Sequence, residues 1–146
     1  MSFETKIEKY AKLAVVTGVN IQKGQLLVIN ADVDCAWYVR LVVKAAYEAG
    51  AGEVVVNWND GQVNKMRYEY ADDDVLAYFY QWQYAQKKEY IDKNCAFLSI
   101  GSPDPTLLSH IDSHKLKLAQ MATSQGMQAL RYYTASNQGQ WSVELL

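Results

Sequence analysis

The chain has 146 residues, 16 acidic against 14 basic side chains, a formal net charge of -2, and half of its residues are hydrophobic. That length suits one domain whose core removes roughly 70% of the unfolded chain's surface from water, and the composition is that of an ordered globular protein. The two signs of charge are mixed, so no basic stripe is available for a phosphate backbone and no basic amphipathic face for a lipid surface, which excludes nucleic acid and membrane as expected partners. No signal pattern opens the chain and no apolar run approaches a membrane span, so a cytoplasmic location is expected.

Ser2 is placed to cap a first helix in which Phe3, Ile7, Tyr10, Ala11 and Ala14 recur at helical spacing, with Gly18 as its stop. After the turn at Lys23-Gly24, the run Leu26-Leu27-Val28-Ile29 predicts a strand covered on both faces and therefore central. Asp32 or Asp34 can cap the next helix, from Trp37 through Val39, Leu41, Val42, Val43, Ala45 and Ala46 to Gly50, which is apolar on most sides and is therefore expected to be well buried. Glu53-Val54-Val55-Val56-Asn57-Trp58 reads as a second buried strand, completing a right-handed βαβ unit before the turn Asn59-Asp60-Gly61.

From Gln62 to Asn94 the pattern predicts two or three helices, interrupted at Asp72-Asp73-Asp74. Cys95-Ala96-Phe97-Leu98-Ser99-Ile100 is a third buried strand, ended by Gly101-Ser102-Pro103-Asp104-Pro105. A long helix is expected from about Asp112 to Tyr133, and Gln140 to Leu146 forms a fourth strand that runs off the end of the chain. Strands alternating with helices predict an α/β fold: a Rossmann-like open parallel sheet of about four strands with helices on both faces.

Such a sheet carries its functional loops at the carboxyl ends of its strands. The turn after the first strand, Asn30-Ala31-Asp32-Val33-Asp34, has no glycine to cradle a phosphate, and Gly50-Ala51-Gly52 leads from a helix into a strand, the wrong direction for a dinucleotide fingerprint. Asp32 and Asp34 with Asn59 and Asp60 offer a small acidic pocket for magnesium, against which stands the simpler reading of helix caps and turns. His110 and His114 stand four apart, a zinc spacing if one helix holds both, but no third ligand or general base accompanies them and they read as surface histidines. Asp72-Asp73-Asp74 reads as a helix N-terminus, and Cys35 and Cys95 as buried free thiols. No catalytic and no metal-binding residue is assigned in this chain.

Several ordered segments carry a resemblance. Ala45-Ala46-Tyr47-Glu48-Ala49-Gly50-Ala51, followed by Glu53-Val54-Val55-Val56 and Trp58-Asn59-Asp60, resembles the metallo-aminopeptidases of the aminopeptidase T and aminopeptidase S type. Asn20-Ile21-Gln22-Lys23-Gly24-Gln25, Met66-Arg67-Tyr68-Glu69, and Ala96-Phe97-Leu98-Ser99-Ile100 with Pro103-Asp104-Pro105 are similar to the same family's N-terminal region in order and spacing. The resemblance implies that residues 1-146 are a single N-terminal α/β domain of a longer cytoplasmic enzyme that releases N-terminal amino acids from peptides. It further implies that two divalent ions (zinc, cobalt or manganese) are held by a C-terminal catalytic domain absent from this chain, so that the fragment alone hydrolyses nothing. The partners to expect are that missing domain and, in the parent, peptide substrates; a homodimer is kept open. Trp58, Asn59, Asp60 and Arg67 are the candidate interdomain or cleft surface. Two other classes stand beside this one: a free-standing flavodoxin-like module for a small ligand or signal, using Asp32, Asp34 and Asn59, and a protein-interaction module using its tyrosines and tryptophans.

Overall fold

A computed structural model describes residues 2-102, 104-135 and 141-145, leaving aside the side chains at 132-135, 141 and 145. Pro103, Gln140 and Leu146, on which parts of the expected loop and fourth strand fall, lie outside the described residues. The chain divides into two compact units, Met1–Asn59 with Tyr90–Pro103 and Gly139–Leu146, and Asp60–Glu89 with Asp104–Gln138.

The first unit is built on a four-stranded sheet of β1 (Leu26–Asp32), β2 (Glu53–Asn59), β3 (Ala96–Gly101) and β4 (Trp141–Leu145). Every neighbouring pair is parallel and the order is β2-β1-β3-β4. As expected, β1 is central, and Leu27, Val28 and Ile29 are fully buried. The expectation of a buried second strand is corrected: β2 is an edge strand, half-buried from Val54 to Asn57 and exposed at Trp58 and Asn59. A run of β-branched residues marks a strand without saying how many neighbours it has.

α1 (Phe3–Leu13) and α2 (Ala36–Glu48) pack together on one face of the sheet. Ser2 caps α1 by accepting from the Thr5 N–H at 3.2 Å. The helix continues into a π-helical turn, Ala14–Gly18, closed by the Val19 N–H on the Ala14 carbonyl. The buried line is Ala11, Ala14 and Val15 with Ile7 partly covered, so Phe3 (72% exposed) and Tyr10 (45%) lie outside the stripe that their spacing suggested. α2 buries one face, Tyr38, Val39, Val42 and Ala46, and leaves Trp37 and Tyr47 half exposed, which corrects the expectation of burial on most sides. Together with Leu27, Ile29, Ala31, Leu98 and Ile100 these side chains form the core. On the opposite face Tyr90, in the last turns of α5 (Gln81–Asp92), meets Phe97 edge-on at 6.4 Å.

Gly50-Ala51-Gly52 has a structural use. Gly24 (φ +77°) and Gly50 (φ +105°) adopt left-handed backbone, and the two turns dock main chain to main chain: Gly24 N–H donates to Gly50 O at 2.7 Å and Gly52 N–H to Gln25 O at 2.8 Å. A Cβ at position 52 would stand 2.5 Å from the Gly24 carbonyl oxygen. Only glycine admits this approach.

Across the core, Tyr38 of α2 faces Glu144 of β4. Tyr38 Oη and Glu144 Oε2 are both buried and neither reaches hydrogen-bond geometry with a described group. Burial, and next the Glu144 carboxyl, push the Tyr38 hydroxyl up; burial likewise raises the Glu144 carboxyl, against a smaller lowering by the Tyr38 hydroxyl.

The second unit is helical. α3 (Gly61–Tyr70) and α4 (Asp73–Leu76) are followed by most of α5, then α6 (Ser113–Gly126) and α7 (Gln128–Ala135). The expected two or three helices between 62 and 94 are thus three. Asp60 caps α3 through the Gln62 N–H (2.9 Å) and Asp112 caps α6 through the His114 N–H (2.9 Å). α4 packs on α6, with Lys115 Nζ donating to the Ala71 carbonyl at 3.0 Å. The single long helix expected from 112 to 133 is corrected to two. The ring of Phe79 occupies the space a Cβ at Gly126 would fill, and with glycine also a poor helix former, α6 ends there.

Two outcomes follow from the packing of the first unit. Gly52→Ala should lower stability by about 1–3 kcal/mol in denaturant unfolding, because a methyl group meets backbone that has no rotamer to yield. Glu144 has its folded pKa raised, so the stability it contributes is full below its unfolded pKa, about 4.3, and is lost as pH rises through the folded value. Melting curves of Glu144→Gln against the parent should therefore favour the variant increasingly from about pH 4 to neutrality; parallel pH profiles would show that the carboxyl is not desolvated.

Candidate crevice at the strand ends

In β1 the residues Leu27, Ile29 and Ala31 point to the helix-covered face, so Val28, Asn30 and Asp32 point to the other. The parallel register sets Asn57, Asn30, Ser99 and Val143 side by side in one row, and Asn59 with Asp32 in the next row toward the carboxyl ends. Central strands of parallel sheets are ordinarily covered on both faces, yet Asn30 is exposed and Val143 is 57% exposed. The carboxyl half of this face carries Asn30, Asp32, Asn57 and Ser99 beside the exposed Val143.

Asp32 organises the strand ends. Its Oδ1 accepts from Asn59 Nδ2 at 3.2 Å and its Oδ2 from the Ser102 N–H at 3.0 Å. The same oxygen would lie 3.2 Å from a Cβ at position 101, where the chain has glycine. One row below, Asn57 Nδ2 donates to Asn30 Oδ1 at 3.3 Å. One carboxylate thus joins the ends of β1, β2 and β3. The crevice it borders holds about 260 Å³ and is also lined by Asn30, Ser99 and Val143. It lies where the chain leaves β1 toward β2 on one side and returns to β3 on the other, the switch point at which open α/β sheets bind ligands.

The expectation that Asp32 or Asp34 caps the following helix is corrected. A single 3-10 turn, Val33–Cys35, precedes α2, and no side chain accepts a hydrogen bond at the start of either. Asp32 belongs to the sheet, and Asp34 is exposed in the turn. Cys35 beneath them is buried and free, its thiol pushed up by burial and further by Asp32 and Asp34, which makes it an unreactive sulfur. Cys95 is likewise buried and outside any disulfide.

Of the four expected surface residues, Trp58 is 50% exposed on the helix-covered side of the sheet, while Asn59, next in the strand, points to the crevice side. Asp60 is occupied in capping α3, and Arg67 lies in the last turn of that helix. His110 lies in a turn ahead of α6, so the two histidines do not share a helix face; His114 Nε2 instead approaches Asp73 Oδ2 at 3.4 Å on the surface. Among the described residues no three His, Cys, Asp or Glu side chains converge as metal ligands, so these residues do not fit a metal centre. Asp32 and Asn59 do meet, as the acidic-pocket reading supposed, but joined by a hydrogen bond. Asn30, Asn57 and Ser99 were missed; the signal available was one polar residue at the same register position of three apolar strands.

Among the described residues no helix is long and apolar enough to cross a membrane. The architecture closely follows that of wild-type AmpT from Thermus thermophilus, with a TM-score of 0.92 at 25% identity over 99% of this chain and 36% of that one. In sequence the chain is 41% identical over 142 residues to aminopeptidase AmpS of Bacillus subtilis, covering 97% of this chain and 35% of that protein. To aminopeptidase 2 of Geobacillus stearothermophilus it is 33% identical, covering 97% and 34%. The chain spans about a third of the length of these curated relatives. The model of the thermophilic metalloprotease family M29 matches residues 3–146, and the chain belongs to that family.

Proposed function

We propose that these residues are the N-terminal, cleft-forming part of a longer cytoplasmic aminopeptidase that releases N-terminal amino acids from peptides with two divalent metal ions. One observation carries the reading: the family match runs through nearly the whole chain, while the chain accounts for about a third of each aminopeptidase it resembles. The chemistry of this chain agrees. Its titratable groups provide no set of converging metal ligands among the described residues, and neither cysteine is placed to act as a nucleophile. The metals, whether zinc, cobalt or manganese, would then be held by the remaining two thirds, where paired ions polarise the scissile carbonyl and activate water.

The role left to this chain is to bind, orient and exclude. Exposed aromatic side chains support a docking role for the first unit, since large apolar groups in water mark surfaces that a partner covers. Trp58 and Trp37 are each half exposed. Trp58, Asn59, Asp60 and Arg67 are proposed to border the contact with the catalytic part. A free-standing flavodoxin-like small-ligand or signalling module is not favoured, because Asp32 is engaged by Asn59 and Ser102 and, among the described residues, no second acid lines the crevice.

The chain alone should not turn over leucyl or arginyl chromogenic amides with added zinc, cobalt or manganese. Fused to the remainder of Bacillus subtilis AmpS in place of the matching segment, it should support hydrolysis that a chelator abolishes and metal restores. Turnover by the isolated chain that disappears on His110→Ala or His114→Ala would overturn the reading. In a two-fragment mixture of this chain with that remainder, Trp58→Ala should weaken association by about 2 kcal/mol, as for a buried aromatic anchor; calorimetry showing no change would remove Trp58 from the contact.

A further inference from the structure

A surface helix ordinarily turns its apolar stripe toward the core, and α3 does the reverse. No residue of α3 is fully buried, and the side it turns inward consists of Gly61, Lys65 and Tyr68, each partly covered. Packing fixes that side: a Cβ at Gly61 would stand 2.8 Å from a methyl carbon of Leu107. Val63, Met66 and Tyr70 follow one another at i, i+3 and i+7 along the opposite side, and they are 59%, 55% and 81% exposed. Arg67, four residues after Val63 and also exposed, lies in the same stripe.

Large apolar side chains aligned along one exposed helix side mark a surface that another body covers, read through anchors at this spacing. A second copy of the chain fits poorly. Two copies related by a two-fold axis at the middle of the stripe, between Met66 and Arg67, would set two Arg67 guanidinium groups against each other, and like charge opposes that contact. The length of the relatives points to a different occupant. The chain accounts for 35% of Bacillus subtilis AmpS and 34% of Geobacillus stearothermophilus aminopeptidase 2, leaving about two thirds of each for a body much larger than α3. A partner of different sequence can meet the three apolar side chains with its own and offer Arg67 a carboxylate, the usual make-up of an interface centre with an arginine anchor.

Resting on the aminopeptidase reading, we infer that the outward stripe of α3 is a docking seam for the catalytic part of the parent, in which Val63, Met66 and Tyr70 enter an apolar groove and Arg67 meets an acidic side chain at its edge. The seam adds three apolar anchors to the contact proposed for Trp58, Asn59, Asp60 and Arg67. It also accounts for a helix whose apolar side is the one that its own unit leaves open.

Met66 is itself the probe, because hydrogen peroxide converts an accessible methionine to its sulfoxide, which mass spectrometry of the digested protein reads residue by residue. Met121 on α6, 48% exposed, serves as the reference. Relative to Met121, Met66 should oxidise about tenfold more slowly in the chain fused to the remainder of AmpS than in the chain alone, the factor that about 1.4 kcal/mol of contact holds closed. Val63→Lys, at an exposed position, should leave the melting curve of the chain alone unchanged and bring Met66 of the fused enzyme to the rate of the chain alone. Arg67→Glu should speed Met66 oxidation in the fused enzyme, most at low salt. A Met66 to Met121 ratio equal in the two proteins, or unmoved by Val63→Lys in the fused enzyme, would overturn the inference. So would Met66 oxidation that slows with rising concentration of the chain alone, which marks a second copy on the stripe. An unprotected Met66 in a fused enzyme that is active and chelator-sensitive removes α3 from the contact and leaves the aminopeptidase reading standing, whereas a fused protein without activity overturns that reading by a separate measurement.

Discussion

A strand with parallel neighbours on both sides cannot be reached by hairpins, and that constraint on β1 governs the first unit. Its partners β2 and β3 must each be entered after a crossover, so the chain departs to one side of β1 and comes back on the other. The carboxyl ends of three strands are thereby brought to one edge while their loops diverge. Asp32 sits at that divergence and holds it closed with two hydrogen bonds, one to the β2 end and one to the backbone just past β3.

The two faces of this sheet are made from alternate residues of the same strands and serve opposite ends. Leu27, Ile29, Ala31, Leu98 and Ile100 are nearly inaccessible to water and join α1 and α2 in the core. Their immediate neighbours Asn30, Asp32 and Ser99 line the crevice. The core face tolerates one departure, the meeting of Tyr38 with Glu144, where one carboxyl oxygen is held away from water. The second face is divided along the strands: its amino half is packed through Val28 and the Phe97–Tyr90 ring contact, and the side chains of Asn30, Asp32 and Ser99 are confined to its carboxyl half.

Much of the chain could be read from local pattern. The apolar runs at 26-29, 53-58 and 95-100 mark strands, Ser2 marks a helix start, and ordered segments such as Ala45 to Ala51 and Trp58-Asn59-Asp60 carry the family resemblance. The misreadings have specific causes. β2 has the composition of a buried strand but only one neighbour. Gly126 is an unremarkable residue in a helical pattern until Phe79 is seen against it. Asp32 has the chemistry and position of a helix cap, but its side chain is claimed by Asn59 and Ser102. His110 and His114 have a helical spacing, but the helix starts after His110.

The sequence by itself determined the kind of fold, the placement of its elements and the family, because these depend on periodicity, capping chemistry and ordered local segments. Only the tertiary structure decided which strand lies at the edge, which polar side chains share a row, and that Asp32 meets residues 27 and 70 positions away. The reason is physical: local periodicity fixes which way a side chain points from its own strand, but order and register are set by hydrogen bonds between strands and by crossovers that bring distant segments together. The crevice is made of such pairings, so it becomes visible only when the sheet is assembled.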